Sequence, residues 1–127
     1  MINLNKIILN WFLVLLWMGV IYYFSDQPHL KSDLAPLWDM ILRKMAHAAE
    51  FFILAYLLFN AYRQMSVKFF RALFMSLILT IFYAFFDEYH QSLVACRNHS
   101  YLDVLIDSLG AASFVVLRYK YRNYYKG

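Results

Sequence analysis

RKMAHAAEFFILAYLLF, residues 43–59, decides the fold. From Met45 the chain is apolar as far as Tyr62, apart from His47, Glu50 and Asn60. Arg43, Lys44, His47 and Glu50 stand at the head of this run or inside it. Lys44, His47 and Glu50 recur every three residues, so on a helix they cover an arc of roughly 120° on one face. Glu50 lies ~9 Å along the axis from Lys44, at a rise of about 1.5 Å per residue. A charge that deep in a membrane costs ~2.5 kcal/mol or more on insertion scales. This face is therefore expected to turn into a bundle and to meet partners there.

Composition agrees with a membrane setting. Of 127 residues, 63% are hydrophobic and 16% charged. A soluble domain this small would expose that apolar surface and aggregate. Aromatic residues make up 20%, with 11 Tyr and 12 Phe, as suits membrane interfaces. The length leaves room for one membrane domain, residues 1–127. The single cysteine, Cys96, excludes an intrachain disulfide framework and a multi-cysteine zinc site. The net charge of +4 makes no case for nucleic acid, because no basic face of a soluble fold carries it.

Working outward, four apolar runs read as spans, at about 7–24, 45–62, 69–86 and 104–119. Each is near the ~20 residues that cross ~30 Å of hydrocarbon. Lys6 ahead of the first run resembles the start of a signal peptide. VIYYFSDQP follows instead of a small-residue cleavage site, so the run is read as a span. Between the first two spans, DQPHLKSDLAPLWD is expected to lie along the membrane surface, with Leu34, Leu37 and Trp38 dipping into the interface. The predicted fold is an all-α membrane protein, four transmembrane helices in a bundle. Lys and Arg set its orientation. With both termini cytoplasmic, eight (Lys6, Arg63, Lys68, Arg71, Arg118, Lys120, Arg122, Lys126) lie inside, and four (Lys31, Arg43, Lys44, Arg97) lie outside. The tail RYKYRNYYK then rests on anionic lipid. All eight acids and all four histidines fall on the outer side.

The third span ends in FFDEYHQS. Acids at a helix C-terminus and cations at a helix N-terminus both oppose the macrodipole. A pairing of Arg43 or Lys44 with Asp87 or Glu88, across antiparallel neighbours, offsets both costs and is expected. Gln91 lies one turn beyond Glu88, on nearly the same face; His90 points elsewhere, to the interface. At the fourth span, Ser100 and Asp103 fit a capping box. Asp107 lies one turn deeper on the Asp103 face, and no cap needs it. Gly110 extends the same stripe and would let a neighbouring helix approach closely. Arg97, in the outer loop, could bridge the acids of the two spans or hold an anionic group.

HAAEFFILAYLL, then DEYHQSLVACR, then LDVLIDSLGA resemble the VanZ-like family of small membrane proteins. That family's pattern runs K-x-x-H-x-x-E-[FY], D-E-x-x-Q, a loop Arg, then D-x-x-x-N-x-x-G. The likeness covers about residues 44–112, and YYFSDQP resembles the family's Ser-x-Gln-Pro after its first helix. Carried over, the matching positions are Lys44, His47, Glu50, Asp87, Glu88, Gln91, Arg97, Asp103 and Gly110. Asp107 stands where the family usually has Asn, and Cys96 where it usually has Gly. The resemblance implies a multi-pass protein of the bacterial cytoplasmic membrane acting in the cell envelope. The family's namesake confers low-level teicoplanin resistance.

The expected outward-facing binding pocket comprises Lys44, His47, Glu50, Asp87, Glu88, Gln91, Arg97, Asp103 and Asp107. Its expected ligand is a membrane lipid or a lipid-linked cell-wall precursor. An enzyme acting on a phosphate-containing lipid is the alternative, with His47, Glu50, Asp87 and Glu88 as candidate catalytic groups. His47 and Glu50 at i, i+3 could share a metal, although the sequence names neither a metal nor another cofactor. There is no H-E-x-x-H, nucleophile elbow or P-loop. A purely structural network is the third reading. One chain has too few helices for alternating access. A channel would need a homo-oligomer, which stays open, and a polar stripe through the apolar LAYLLF and LFMSLILT.

Overall fold

A computed structural model of the chain describes residues 2–26, 36–94 and 101–124, with side chains as far as Arg122. Its order is α1 (Leu4–Ser25), α2 (Pro36–Gln64), α3 (Phe69–Ser92) and α4 (Tyr101–Tyr124). Among the described residues there is no strand. The Asn3 side chain caps α1 by accepting from the Lys6 N–H at 3.2 Å. Pro36 opens α2, a position that needs no N–H donor, and Asp39 sits in its first turn. α2 ends in a tight turn where Ser66 takes a positive φ of 62°. The Val67 N–H closes that turn on the Tyr62 carbonyl at 3.2 Å.

The helices run longer than the apolar stretches that announce them. α2 begins nine residues before Met45 and includes Leu37 and Trp38, which are exposed on its first turn. Arg43 and Asp39 pair at i, i+4 there, so the polar head of α2 sustains the helix. α3 continues past Asp87 and Glu88 to Ser92, so these acids lie inside the helix and do not close it. The span between the first two helices is described only at its ends, and residues 27–35 lie outside the described residues, as do 95–100 with Cys96, Arg97 and Ser100.

α2 is central. It packs most extensively on α4, and also on α1 and α3; α3 packs on α4, and α1 touches α3 narrowly. Successive helices are antiparallel: Trp11, early in α1, meets Tyr62 near the end of α2, with ring centroids 5.4 Å apart. Phe70, at the start of α3, meets Tyr119 late in α4, at 6.0 Å.

Large apolar side chains lie on the outside, while several polar ones are buried beside the apolar core. Phe12, Leu15, Phe74, Phe82, Leu105 and Val116 are all more than half exposed, whereas Ser25, Ser76, Thr80, Asp87, Glu88, Gln91 and Asp107 are buried. Lipid, not water, suits such a surface. α1 and α3 are each long and apolar enough to cross a membrane. α2 and α4 carry ten of the fourteen charged residues in the four helices, which lowers their hydropathy.

Candidate functional site

Charge divides the bundle into two ends. Residues 51–86 and 108–127 contain no Asp or Glu, so the carboxylates gather where α1 and α3 end and α2 and α4 begin. Lys44, His47 and Glu50 occupy one face of α2. The Lys44 Nζ donates to Asp103 Oδ1 of α4 at 2.8 Å. One turn deeper, the His47 Nδ1 lies 3.8 Å from Glu50 Oε2 and 3.8 Å from Asp107 Oδ1. The α2 and α4 backbones can come this close because Gly110 faces Ala48, where a Cβ would stand 2.1 Å from the Ala48 carbonyl oxygen.

α3 supplies the third wall. Asp87, Glu88 and Gln91 are buried. Asp87 Oδ1 accepts the Ser25 hydroxyl of α1, and Asp87 Oδ2 accepts Gln91 Nε2 at 3.1 Å. Gln91 Nε2 also reaches Ser25 Oγ at 3.3 Å. These hydrogen bonds tie α1 to α3. Trp17 adds a tie between α1 and α2, donating to the Glu50 carbonyl at 2.9 Å. Ser25 and Trp17 are absent from the sequence-derived site; the Ser-x-Gln-Pro likeness at Ser25 was the available signal for the former.

Two pairings differ from expectation. Lys44 goes to Asp103, and Arg43 to Asp39, not to the acids of α3. The reason is packing: α2 shares its largest contact with α4, so the first turn of α4, not the last of α3, lies beside Lys44. Asp103 serves this ion pair; its expected partner in a capping box, Ser100, lies outside the described residues, and so does Arg97. His90 stands apart from the cluster, 3.2 Å from Asp26 and stacked on Tyr22 at 4.3 Å.

The donor atoms of His47, Asp87 and Asp107 lie within 4.8 Å of one another. Asp107 is 2% exposed, and its Oδ1 has no hydrogen-bond partner among the described residues. One imidazole and two carboxylates from three helices could hold a first-row divalent cation. They could equally act as a base with two acceptors for a bound polar group.

Residues 10–120, which include every described member of this cluster, match the family model VanZ/LLP1. The chain belongs to the VanZ/LLP1 family. No curated protein and no solved structure gives a significant match. Membership together with the apolar α1 and α3 makes this VanZ/LLP1 chain a helical membrane protein.

Proposed function

We propose that this VanZ/LLP1 protein crosses the bacterial cytoplasmic membrane four times, with both termini inside, and uses the carboxylate-rich end of its bundle to bind the polar head of a lipid-linked cell-wall precursor. One observation carries the reading: Asp87, Glu88, Gln91 and Asp107 are at most 6% exposed yet converge from two helices whose outer faces are apolar. Intramembrane carboxylates are costly and default to function. The excess of Lys and Arg at the other end supports an outward orientation of the carboxylates. Carboxylates and Gln91 suit the hydroxyl and amino groups of a sugar or peptide head, and Lys44 suits a phosphate. Handling of such a precursor would accord with the teicoplanin resistance that the family's namesake confers.

A metal-assisted reaction on a phosphate-containing lipid is the second reading, favoured by the convergence of His47, Asp87 and Asp107. Native mass spectrometry of the purified chain with lipid-linked precursors, run beside Glu50→Gln, tests the first. Retention of precursor by the parent and its loss in a folded variant is the expected result. Equal retention by both, or by neither, overturns the reading.

A further inference from the structure

The opposite end of the bundle holds a second polar feature, independent of the carboxylate cluster. Arg63, Lys68, Arg71, Arg118 and Arg122 line a cavity of about 920 Å³ with Phe69 and Phe70. The stretches that build this end, residues 51–86 and 108–127, supply no acid to neutralise them. Cations at a membrane edge ordinarily extend along their stems into water. Two of these are instead held on rings. The Arg118 guanidinium lies 5.2 Å from the Phe59 centroid and 5.4 Å from that of Phe69. The Arg122 guanidinium lies 4.6 Å from the centroids of both Phe69 and Phe70.

Stacking a guanidinium on a ring uses its face and leaves its N–H edge free to donate. The Arg63 Nη1 is held too, on the Val67 carbonyl at 2.8 Å, which fixes the turn into α3. α3 begins inside this ring of cations, and the flanking Lys68 gives it no side-chain cap. Its first-turn N–H groups and the positive end of its dipole therefore point at the same place. Pre-set guanidinium edges, an uncapped helix N-terminus and repulsion among five like charges all favour an anion with several oxygens.

We infer that this pocket binds a phosphate group, with Arg118 and Arg122 as its bidentate donors and Arg63, Lys68 and Arg71 as its surrounding charge. The phosphate belongs either to the headgroup of an anionic membrane lipid or to a soluble phosphate compound. The volume accommodates a headgroup, being within the roughly 300–1,000 Å³ usual for small-molecule sites.

The full chain in neutral detergent would be titrated with short-chain phosphatidylglycerol, with phosphatidylcholine of equal chain length, and with inorganic pyrophosphate. Binding is read by thermal shift and native mass spectrometry. Saturable binding of phosphatidylglycerol, in preference to phosphatidylcholine, names the lipid source; binding of pyrophosphate without phosphatidylglycerol names the soluble one. Arg122→Gln and Arg118→Lys should each weaken that binding by about tenfold or more, the loss expected of a charge-assisted bidentate contact. Arg118→Lys keeps the charge, so its effect separates a shaped site from a merely basic surface. Lys120→Gln removes a cation at the same end that does not line the pocket, and should change binding less than about twofold, as for an exposed charge. No saturable binding of either anion, or equal losses in Lys120→Gln and Arg122→Gln, overturns the inference.

Discussion

Gly110 of α4 rests directly on the backbone of α2: a Cβ there would lie 2.1 Å from the Ala48 carbonyl oxygen and 3.0 Å from the Ala48 Cα. Backbone cannot yield as a flexible side chain can, so Gly110→Ala must drive the helices apart. Overpacking of this kind costs about 1–3 kcal/mol. Asp107 lies one turn from Gly110 and would move from His47 with it. Gly19 in α1 is the contrast, since nothing lies within 4 Å of its added Cβ. Gly19→Ala should be neutral or stabilise by up to about 1 kcal/mol, because alanine is the better helix former. Thermal unfolding in detergent checks both; equal behaviour of the two variants would refute the close approach.

The Lys44–Asp103 pair joins the third turn of α2 to the first turn of α4. The side chains are 33% and 27% exposed, so the pair is partly solvated. Losing one partner should cost about 1–3 kcal/mol, less than the ~3–5 of a fully buried pair. The exchange Lys44→Asp with Asp103→Lys should recover much of that loss. Exchanging Lys44 with Asp87 should recover none. A double-mutant cycle on stability measures the coupling, and rescue through Asp87 in place of Asp103 would refute the pairing.

Ser25 fastens the end of α1 to Asp87 and Gln91. Ser25→Ala removes a buried donor from a carboxylate, a loss of about 1–3 kcal/mol. Ser92→Ala is the control: among the described residues that hydroxyl bonds the Tyr89 carbonyl alone, on an exposed turn, and its loss should be within about 0.5 kcal/mol. Disulfide trapping between cysteines placed on α1 and α3 would show whether α1 loosens. An unchanged trapping rate in Ser25→Ala would refute this role.

These tests mark where the sequence was readable. Apolar runs located all four helices, because burial against lipid or neighbours needs long uninterrupted apolar faces. Their ends were not readable, since Asp39 and Arg43 satisfy each other within α2, and Asp87, Glu88 and Gln91 turn inward instead of ending α3. The i, i+3 spacing put Lys44, His47 and Glu50 on one face, a property of the helix alone. Partners across helices were harder. Chain adjacency pointed Lys44 at α3, whereas the contact at Gly110 brings α4 beside it. Ser25 escaped because a lone serine at a helix end has many ordinary roles, and its burial and its hydrogen bonds with Asp87 and Gln91 across helices distinguish it.

Asp107→Asn separates the two functional readings. Asn is the residue that the family pattern usually carries here, and it has nearly the shape of Asp. The Asp107 side chain is buried, with Oδ1 3.8 Å from His47 and without a hydrogen-bond partner among the described residues. If no cation is held there, replacing a buried acid by a neutral amide relieves desolvation, and the variant should melt at least as high as the parent. It should also keep its lipid ligand, because an amide still accepts and now donates. A cation held by His47, Asp87 and Asp107 reverses the sign. The variant would then lose stoichiometric metal by elemental analysis and melt lower, and chelation would lower the parent to the same level. A higher melting temperature with no metal in either protein favours the binding reading. A lower one, together with metal lost from the parent's complement, favours metal-assisted chemistry.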